Sequence, residues 1–490
     1  MNEERRLMCT ILSKRRFICW LTFVKLLCCG VVFIGIGHAA PINGTLRVSP
    51  QNSRYFTDSS GRAIYLTGSH TWNNLIDMDA TYPPRLFNFN AYLNFLESYN
   101  HNFIRLWAWE VTKPQSTSYE RRQYASPQPW LRTGPGLDIT GLPKFDLLKL
   151  NQNYFDRLHE RVSAAEQRGI YVSVMLFEGW AVQFEPGRAS HPFNQSNNIN
   201  GIHYGDSPQN VHTLQNSEIT AIQESYVRKV IDTVNEFDNI LYEIINESGP
   251  YSTSWQYHMI EYVKKYEATK SKQHPVGMTF QYSGGRNSTL FNSPADWISP
   301  GPESGGYDTN PQASDGRKII IWDNDHIGGS DSGDRQLIWK CFTRGLHTIF
   351  MDRYVLPDSV TDNPYSEAEE IRQAMGQTRS YADRMSLIFM TPRTDIASTG
   401  YALASNSEFL VYDPAGGAFT VNLSGSPQSL QVEWFNVSTG IKTVAGTIPG
   451  GGTRTFTPPS NGEVVLYLKG DCCSNNDTTP PSPPTRLSVQ

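Results

Sequence analysis

Between Ile64 and Met351 the sequence carries eight short apolar runs, separated by stretches long enough to hold a helix or an elaborate loop. They are Ile64–His70, Phe103–Trp109, Tyr171–Phe177, Ile240–Asn246, Val276–Tyr282, Trp297–Ser299, Lys318–Asp323 and Thr348–Met351. Strands joined by long crossovers pair in parallel, because an antiparallel neighbour needs only a tight turn. Eight is the number that closes such a sheet on itself. The crossovers show helical periodicity: Tyr154–Gln167 sets Phe155, Leu158 and Val162 on one face, and Ser217–Phe237 does so with Ile222, Val227, Val230 and Ile231. The expected fold class is α/β, a (β/α)8 barrel over residues 46–390.

After Arg384 the texture changes to short alternating runs broken by Gly, Asn and Ser: Tyr401–Ala404, Glu408–Tyr412, Ala418–Leu423, Gln431–Asn436 and Glu463–Leu468. This pattern predicts a small antiparallel β-sandwich over residues 395–470, followed by a Pro-rich linker over 471–490. A chain of 490 residues has room for both cores. Residues 1–39 read as a signal peptide, with Arg5, Arg6, Lys14, Arg15 and Arg16 ahead of an apolar run from Phe17 to Gly37. Lys25 interrupts that run, so a leader is expected rather than a stable membrane span. The body is expected to be secreted or extracytoplasmic, in the periplasm or at the cell surface.

Charge and cysteines exclude several classes. The net charge of −5 comes with no basic face in the body of the chain, so nucleic acid is not an expected partner. Of seven cysteines, Cys9, Cys19, Cys28 and Cys29 lie in the leader, and Cys341, Cys472 and Cys473 do not make a disulfide framework. Zinc-site spacing and a His-Glu-x-x-His run are both missing from the sequence, so neither a metal nor another cofactor is expected. Aromatics are abundant, with 11 Trp and 24 Tyr, and their ring faces suit the C–H faces of sugars.

The run Asn239–Asn246 ends on Asn246-Glu247, and it resembles the fourth barrel strand of clan A glycoside hydrolases. That resemblance implies Glu247 as catalytic acid/base and Asn246 as a contact to the sugar 2-hydroxyl. Glycosidic cleavage needs a second carboxylate on the other face of the ring. Lys318–His326 offers Asp323 and Asp325, which fall on one side of an extended strand. Asp323 stands where the family carries its nucleophile, although the family's residue is Glu, one methylene longer. Carboxyl groups about 5–5.5 Å apart imply retention of configuration, and about 6.5–9.5 Å inversion. Arg105 resembles the strand-two arginine of the same clan, whose charge keeps a neighbouring carboxyl ionised. His70, Trp72, Trp109, Glu178, Trp180, Asp325, His326 and Asp352 also fall at strand ends or just beyond, and with Arg105 and Asn246 they form the expected substrate-binding set.

From Leu46 to Lys469 the chain resembles secreted apiosidase-like barrel proteins whose C-terminal domain is named for collagen binding. The residues that carry this are Ile64–His70, Asp323–His326, Phe342–Gly345, Ile349–Asp352, Val432–Asn436 and Thr439-Gly440. The resemblance implies a retaining glycosidase acting on a polysaccharide or oligosaccharide. Two other classes compete: a non-catalytic glycan- or matrix-binding protein on the same scaffold, and a polysaccharide lyase, for which no residue speaks specifically.

Overall fold

The eight apolar runs close into a barrel. The computed structural model describes residues 41–114, 124–185, 187–303, 306–326, 334–352, 354, 368–426 and 428–470; the expected leader and Pro-rich linker lie outside the described residues. The barrel strands are β1 (Thr67–His70), β2 (Phe103–Leu106), β3 (Tyr171–Glu178), β4 (Ile240–Asn246), β5 (Val276–Thr279), β6 (Trp297–Ser299), β7 (Ile319–Asp323) and β8 (His347–Met351). Each pairs in parallel with the next, and β8 pairs with β1 to close the ring. Every residue of β3 and β4 is buried, as expected of strands covered on both faces. Gly68 is required where β1 meets β2, because a Cβ there would lie 1.8 Å from the Phe103 carbonyl oxygen.

Helices α1 (Phe89–Ser98), α2 (Gln152–Glu166), α3 (Ser217–Val234), α4 (Thr253–Glu267), α5 (Asn287–Asn292), α6 (Arg335–Thr343) and α7 (Glu369–Arg384) complete the crossovers. Asn216 caps α3 through its side chain, which accepts from the Glu218 and Ile219 amides, and Asp334 caps α6 through the Leu337 amide. Below the barrel, Phe56 of a small three-stranded sheet and Leu46, just before its first strand, pack against Phe103, Leu241, Ile319 and Ile321 and seal its floor.

The chain departs from the expected runs in instructive places. Ile64–His70 is two strands: Ala63–Ile64 pairs antiparallel in the floor sheet, and only Thr67–His70 enters the barrel. β2 stops at Leu106 because the Trp107 amide turns to the Asn74 side chain at 2.8 Å and leaves the ladder. The long stretch after β2 contains a hairpin, Trp130–Leu137 with Pro143–Leu150, that the alternation of residues had not suggested.

Beyond the barrel come β9 (Thr391–Pro392), β10 (Ala402–Ala404), β11 (Glu408–Asp413), β12 (Phe419–Asn422), β13 (Ser429–Asn436), β14 (Lys442–Pro449), β15 (Thr453–Phe456) and β16 (Val464–Gly470). Six of them form an antiparallel sheet in the order β9-β10-β11-β16-β13-β14, and β12 pairs with β15 in a second sheet. Alternation divides β11 between two cores. Phe409 and Val411 join Val421, Trp434 and Phe456 between the sheets, whereas Leu410 and Tyr412 join the main core. There Trp339 of α6 stacks on Tyr412 with centroids 5.9 Å apart, and Glu433 accepts from Tyr381 and Arg384 of α7. No helix among the described residues is long and apolar enough to cross a membrane.

Candidate active site

At the C-terminal end of the barrel the geometry is organised by one buried cation. Arg105, 2% exposed, points inward from β2. Its Nε donates to Glu243 at 2.7 Å, and its Nη2 donates to the other Glu243 oxygen and, at 2.9 Å, to the Asn246 side-chain oxygen. Its Nη1 reaches Asp323 at 3.4 Å and Asp325 at 3.3 Å. All five N–H groups are therefore engaged within the protein, and none is left for a ligand. Arg105 fixes the carboxylates in place; it does not sit in the binding surface. Trp107 covers it, with the guanidinium 4.7 Å from the ring centroid.

Around this hub the carboxyl groups separate by environment. Burial works to raise the Asp323 carboxyl, yet His70, His326 and Arg105 outweigh it and hold the group well below the usual carboxylate range. His70 Nε2 lies 3.2 Å from one Asp323 oxygen, which also accepts the Asp325 amide at 3.0 Å. Glu247 behaves oppositely: burial, then the charges of Asp325 and Glu178, push it well above the ordinary value against the pull of Arg105. Asp325 is raised to about 6, by burial and by Asp323. Glu178, fully buried and set opposite Asn246 in the β3–β4 register, is raised to about 8 by burial and by Glu110, although the Trp180 and Ala181 amides donate to it.

Glu247 also carries backbone strain. Its φ is +45°, left-handed for a residue with a Cβ, and its carbonyl accepts from Gln183 at 2.8 Å. Such conformations cost free energy and concentrate where a side chain must be aimed.

The expected site residues fall into three groups. Arg105, Asn246, His70, Asp323, Asp325 and His326 form one bonded cluster, with His326 held by Ser299 at 2.8 Å and by Asn246 at 3.2 Å. Glu247 and Glu178 stand beside it, coupled through their charges. The part-exposed rings of Trp72 and Trp180 lie at the edge of the main core, whereas Trp109, 2% exposed, donates its indole N–H to the Trp72 carbonyl at 2.8 Å. Asp352 is the outlier, since both its oxygens are taken by Arg372 of α7 at 2.6 and 2.7 Å and it is 1% exposed. Its place is structural.

Glu243 escaped the sequence reading, and so did the histidine partners of Glu110, itself a polar residue just past the end of the second apolar run. Glu243 neutralises Arg105 from within β4, four residues before Glu247, which lies just past the end of that strand. Glu110 is gripped by His191 at 2.9 Å and His212 at 3.0 Å, both from the loop after β3, and no local pattern announces that meeting. Burial works to raise Glu110, but the two histidines outweigh it and pull the group down to about 2. His70, Asp323 and Asp325 bring three ligand-type atoms within 4.8 Å of one another. The guanidinium already bonded to both carboxylates occupies that charge, and a metal ion there would face it in a low-dielectric interior.

The same architecture occurs in solved structures. One described as a glycoside hydrolase matches with a TM-score of 0.57 and 14% identity, over 88% of this chain and 98% of that one. A glycoside hydrolase family 5 protein from Bacteroides vulgatus matches with a TM-score of 0.57 and 14% identity, over 88% of this chain and 95% of its own. What is shared at that identity is the fold, the (β/α)8 barrel on which clan A glycoside hydrolases are built. Residues 124–282 match a family described as "Domain of unknown function (DUF6298)", and residues 386–468 match one described as "Putative collagen-binding domain of a collagenase". No curated protein matches the sequence.

Proposed function

We propose that the protein is an exported glycoside hydrolase that cleaves O-glycosidic bonds in a polysaccharide or oligosaccharide, with retention of configuration. The observation that carries this reading is the opposite charging of two carboxyl groups around Arg105 at the mouth of the barrel. Glu247, whose proton is held more tightly than in an ordinary carboxyl because of burial and the charges of Asp325 and Glu178, suits proton donation to the leaving glycosidic oxygen. Asp323, kept ionised, suits attack on the anomeric carbon; water then enters with Glu247, now deprotonated, acting as base. Beyond burial, the charges of Asp325 and Asp323 both act to raise Glu247, and retention rests on Asp323 standing where the resembled family carries its nucleophile. Part-exposed Trp72 and Trp180 supply ring faces for the sugar.

The test is sugar release by the protein from Ala40 onward across plant and microbial polysaccharides, with Glu247→Gln as control and the anomer of the first product read by NMR. Release that vanishes in the control supports hydrolysis, and a first product of inverted configuration removes retention. The competing reading, a glycan- or matrix-binding protein without turnover, is favoured by the short Asp323 side chain in place of the longer Glu. It predicts binding with no product from any polysaccharide. Export rests on the leader, residues 1–39, and is tested by N-terminal sequencing of the protein recovered outside the cytoplasm.

A further inference from the structure

The loops on either side of Glu247 carry a row of aromatic rings across the end of β4. In the barrel β4 lies between β3 and β5, and the segments that follow these two strands meet above it. Trp180 and Phe184 come from the segment after β3, one at each end of a short turn of helix, Ala181–Gln183, with ring centroids 4.9 Å apart. Phe184 in turn stands 6.3 Å from Tyr282, three residues past the end of β5. The ring planes are inclined by 52° and 57°, the tilted packing in which aromatic rings support one another. Tyr282 is 40% exposed, and Trp180 and Phe184 are half-buried, so each keeps some ring surface open.

The backbone is fixed so as to hold Tyr282 outward. Buried Gln281 donates through its side chain to Thr253 of α4 at 2.9 Å, its carbonyl accepts the Gly285 amide at 3.1 Å, and Ser283 has a φ of +58°. Three non-glycine residues are left-handed among the described residues, and two of them, Glu247 and Ser283, stand just past the ends of the neighbouring strands β4 and β5. Strain of this kind persists where the surrounding structure imposes it, and it gathers at ligand sites. The row is also tied to the acid. Gln183, between Trp180 and Phe184 in the chain, donates through its side chain to the Glu247 carbonyl at 2.8 Å. Position then assigns the side of the bond. A general acid protonates the departing oxygen, and the second carboxylate works on the opposite face of the sugar ring. Asp323 enters from β7, three strands round the barrel from β4, so the rings lie with the acid and the group that departs.

We propose that Trp180, Phe184 and Tyr282 form a subsite for the sugar on the leaving side of the scissile bond, so that the substrate is a glycan on both sides of the bond cleaved. This assignment rests on the glycosidase reading above; sugar binding by the rings does not require cleavage. The experiment begins with affinity electrophoresis of the whole protein carrying Glu247→Gln, in gels containing soluble arabinoxylan, galactomannan or xyloglucan. Retardation is expected in at least one gel. Adding Phe184→Ala or Tyr282→Ala should weaken it roughly 3- to 10-fold each. Tyr282→Ala, at an exposed position, guards against a folding defect in the other variant. With Glu247 restored, each substitution should lower kcat/KM more for that polysaccharide than for the glycosyl fluoride of the sugar released, because a departing fluoride is too small to reach the rings. Equal losses on the two substrates would put the rings on the side of the sugar that is attacked and overturn the proposal. Retardation indifferent to both substitutions overturns it too, as does free migration in all three gels. Sugar release in either of those last cases would remove the row and leave the hydrolase; ring-sensitive retardation with no release by the unsubstituted protein would keep a sugar site and remove both the hydrolase and the leaving-side assignment.

Discussion

Arg105 decides what each carboxyl group at the barrel mouth can do. It neutralises Glu243 and holds Asp323 and Asp325, while burial and the charges of Asp325 and Glu178 raise Glu247 against its pull. Glu247→Gln should therefore lower kcat/KM by about 100- to 10,000-fold with an unchanged circular dichroism spectrum. The pH profile separates the two aspartates. Activity should fall on the alkaline side as Glu247 loses its proton. If Asp323 is the ionised partner, the acid limb lies well below the usual carboxylate range; if Asp325 is, the limb lies near 6. A limb near 6, with turnover lost in Asp325→Asn and kept in Asp323→Asn, would transfer the role to Asp325.

At the scale of elements, buried ion pairs tie helices and loops to strand ends. The Asp352–Arg372 pair joins the end of β8 to α7 with both side chains at most 1% exposed. Asp352→Ala leaves a buried guanidinium with, among the described residues, only the 3.9 Å ion pair to Glu369 and should cost about 3–5 kcal/mol, read by urea denaturation. A cost near zero would mean that the site relaxes or hydrates. Glu110, between His191 and His212, links the segment after β2 to the loop after β3. Its folded pKa is depressed, so its contribution is full above the ordinary carboxylate value near 4.5 and is lost as pH falls toward about 2. Glu110→Gln should thus be less stable than the unsubstituted protein at pH 7, by about 2–3 kcal/mol, with the gap closing in acid.

Over the whole molecule, the barrel and sandwich share one apolar interface. Trp339 and Tyr381 of the barrel helices meet Tyr412, Phe435 and Tyr467 of the sandwich, with ring centroids 5.6–5.9 Å apart. Unfolding one side strips cover from the other, so calorimetry of residues 41–470 should record a single transition. A chain ending at residue 390 exposes Trp339 and Tyr381 and should aggregate or melt earlier. Two resolved transitions, with the first confined to the sandwich, would contradict this coupling.

What the sequence determined by itself is what periodicity and strand-end chemistry encode. Eight apolar runs dictate a closed parallel sheet, because a strand covered on both faces must be apolar throughout, and Asn246-Glu247 and Asp323–His326 mark two of its polar ends. The short edges of the sandwich were less legible: Lys442–Pro449 is exposed along almost its whole length, so no alternation betrays it. What only the tertiary structure decided is which distant groups meet. Arg105 and Asp323 are 218 residues apart in sequence, as are His70 and Asp323 by 253, and closing the ring brings them into contact. Asp352 looked like its neighbours at strand ends until Arg372 of α7 claimed it. Charge states follow from such meetings, since burial and the nearest opposite charge set a carboxyl's proton affinity and neither is local in the chain.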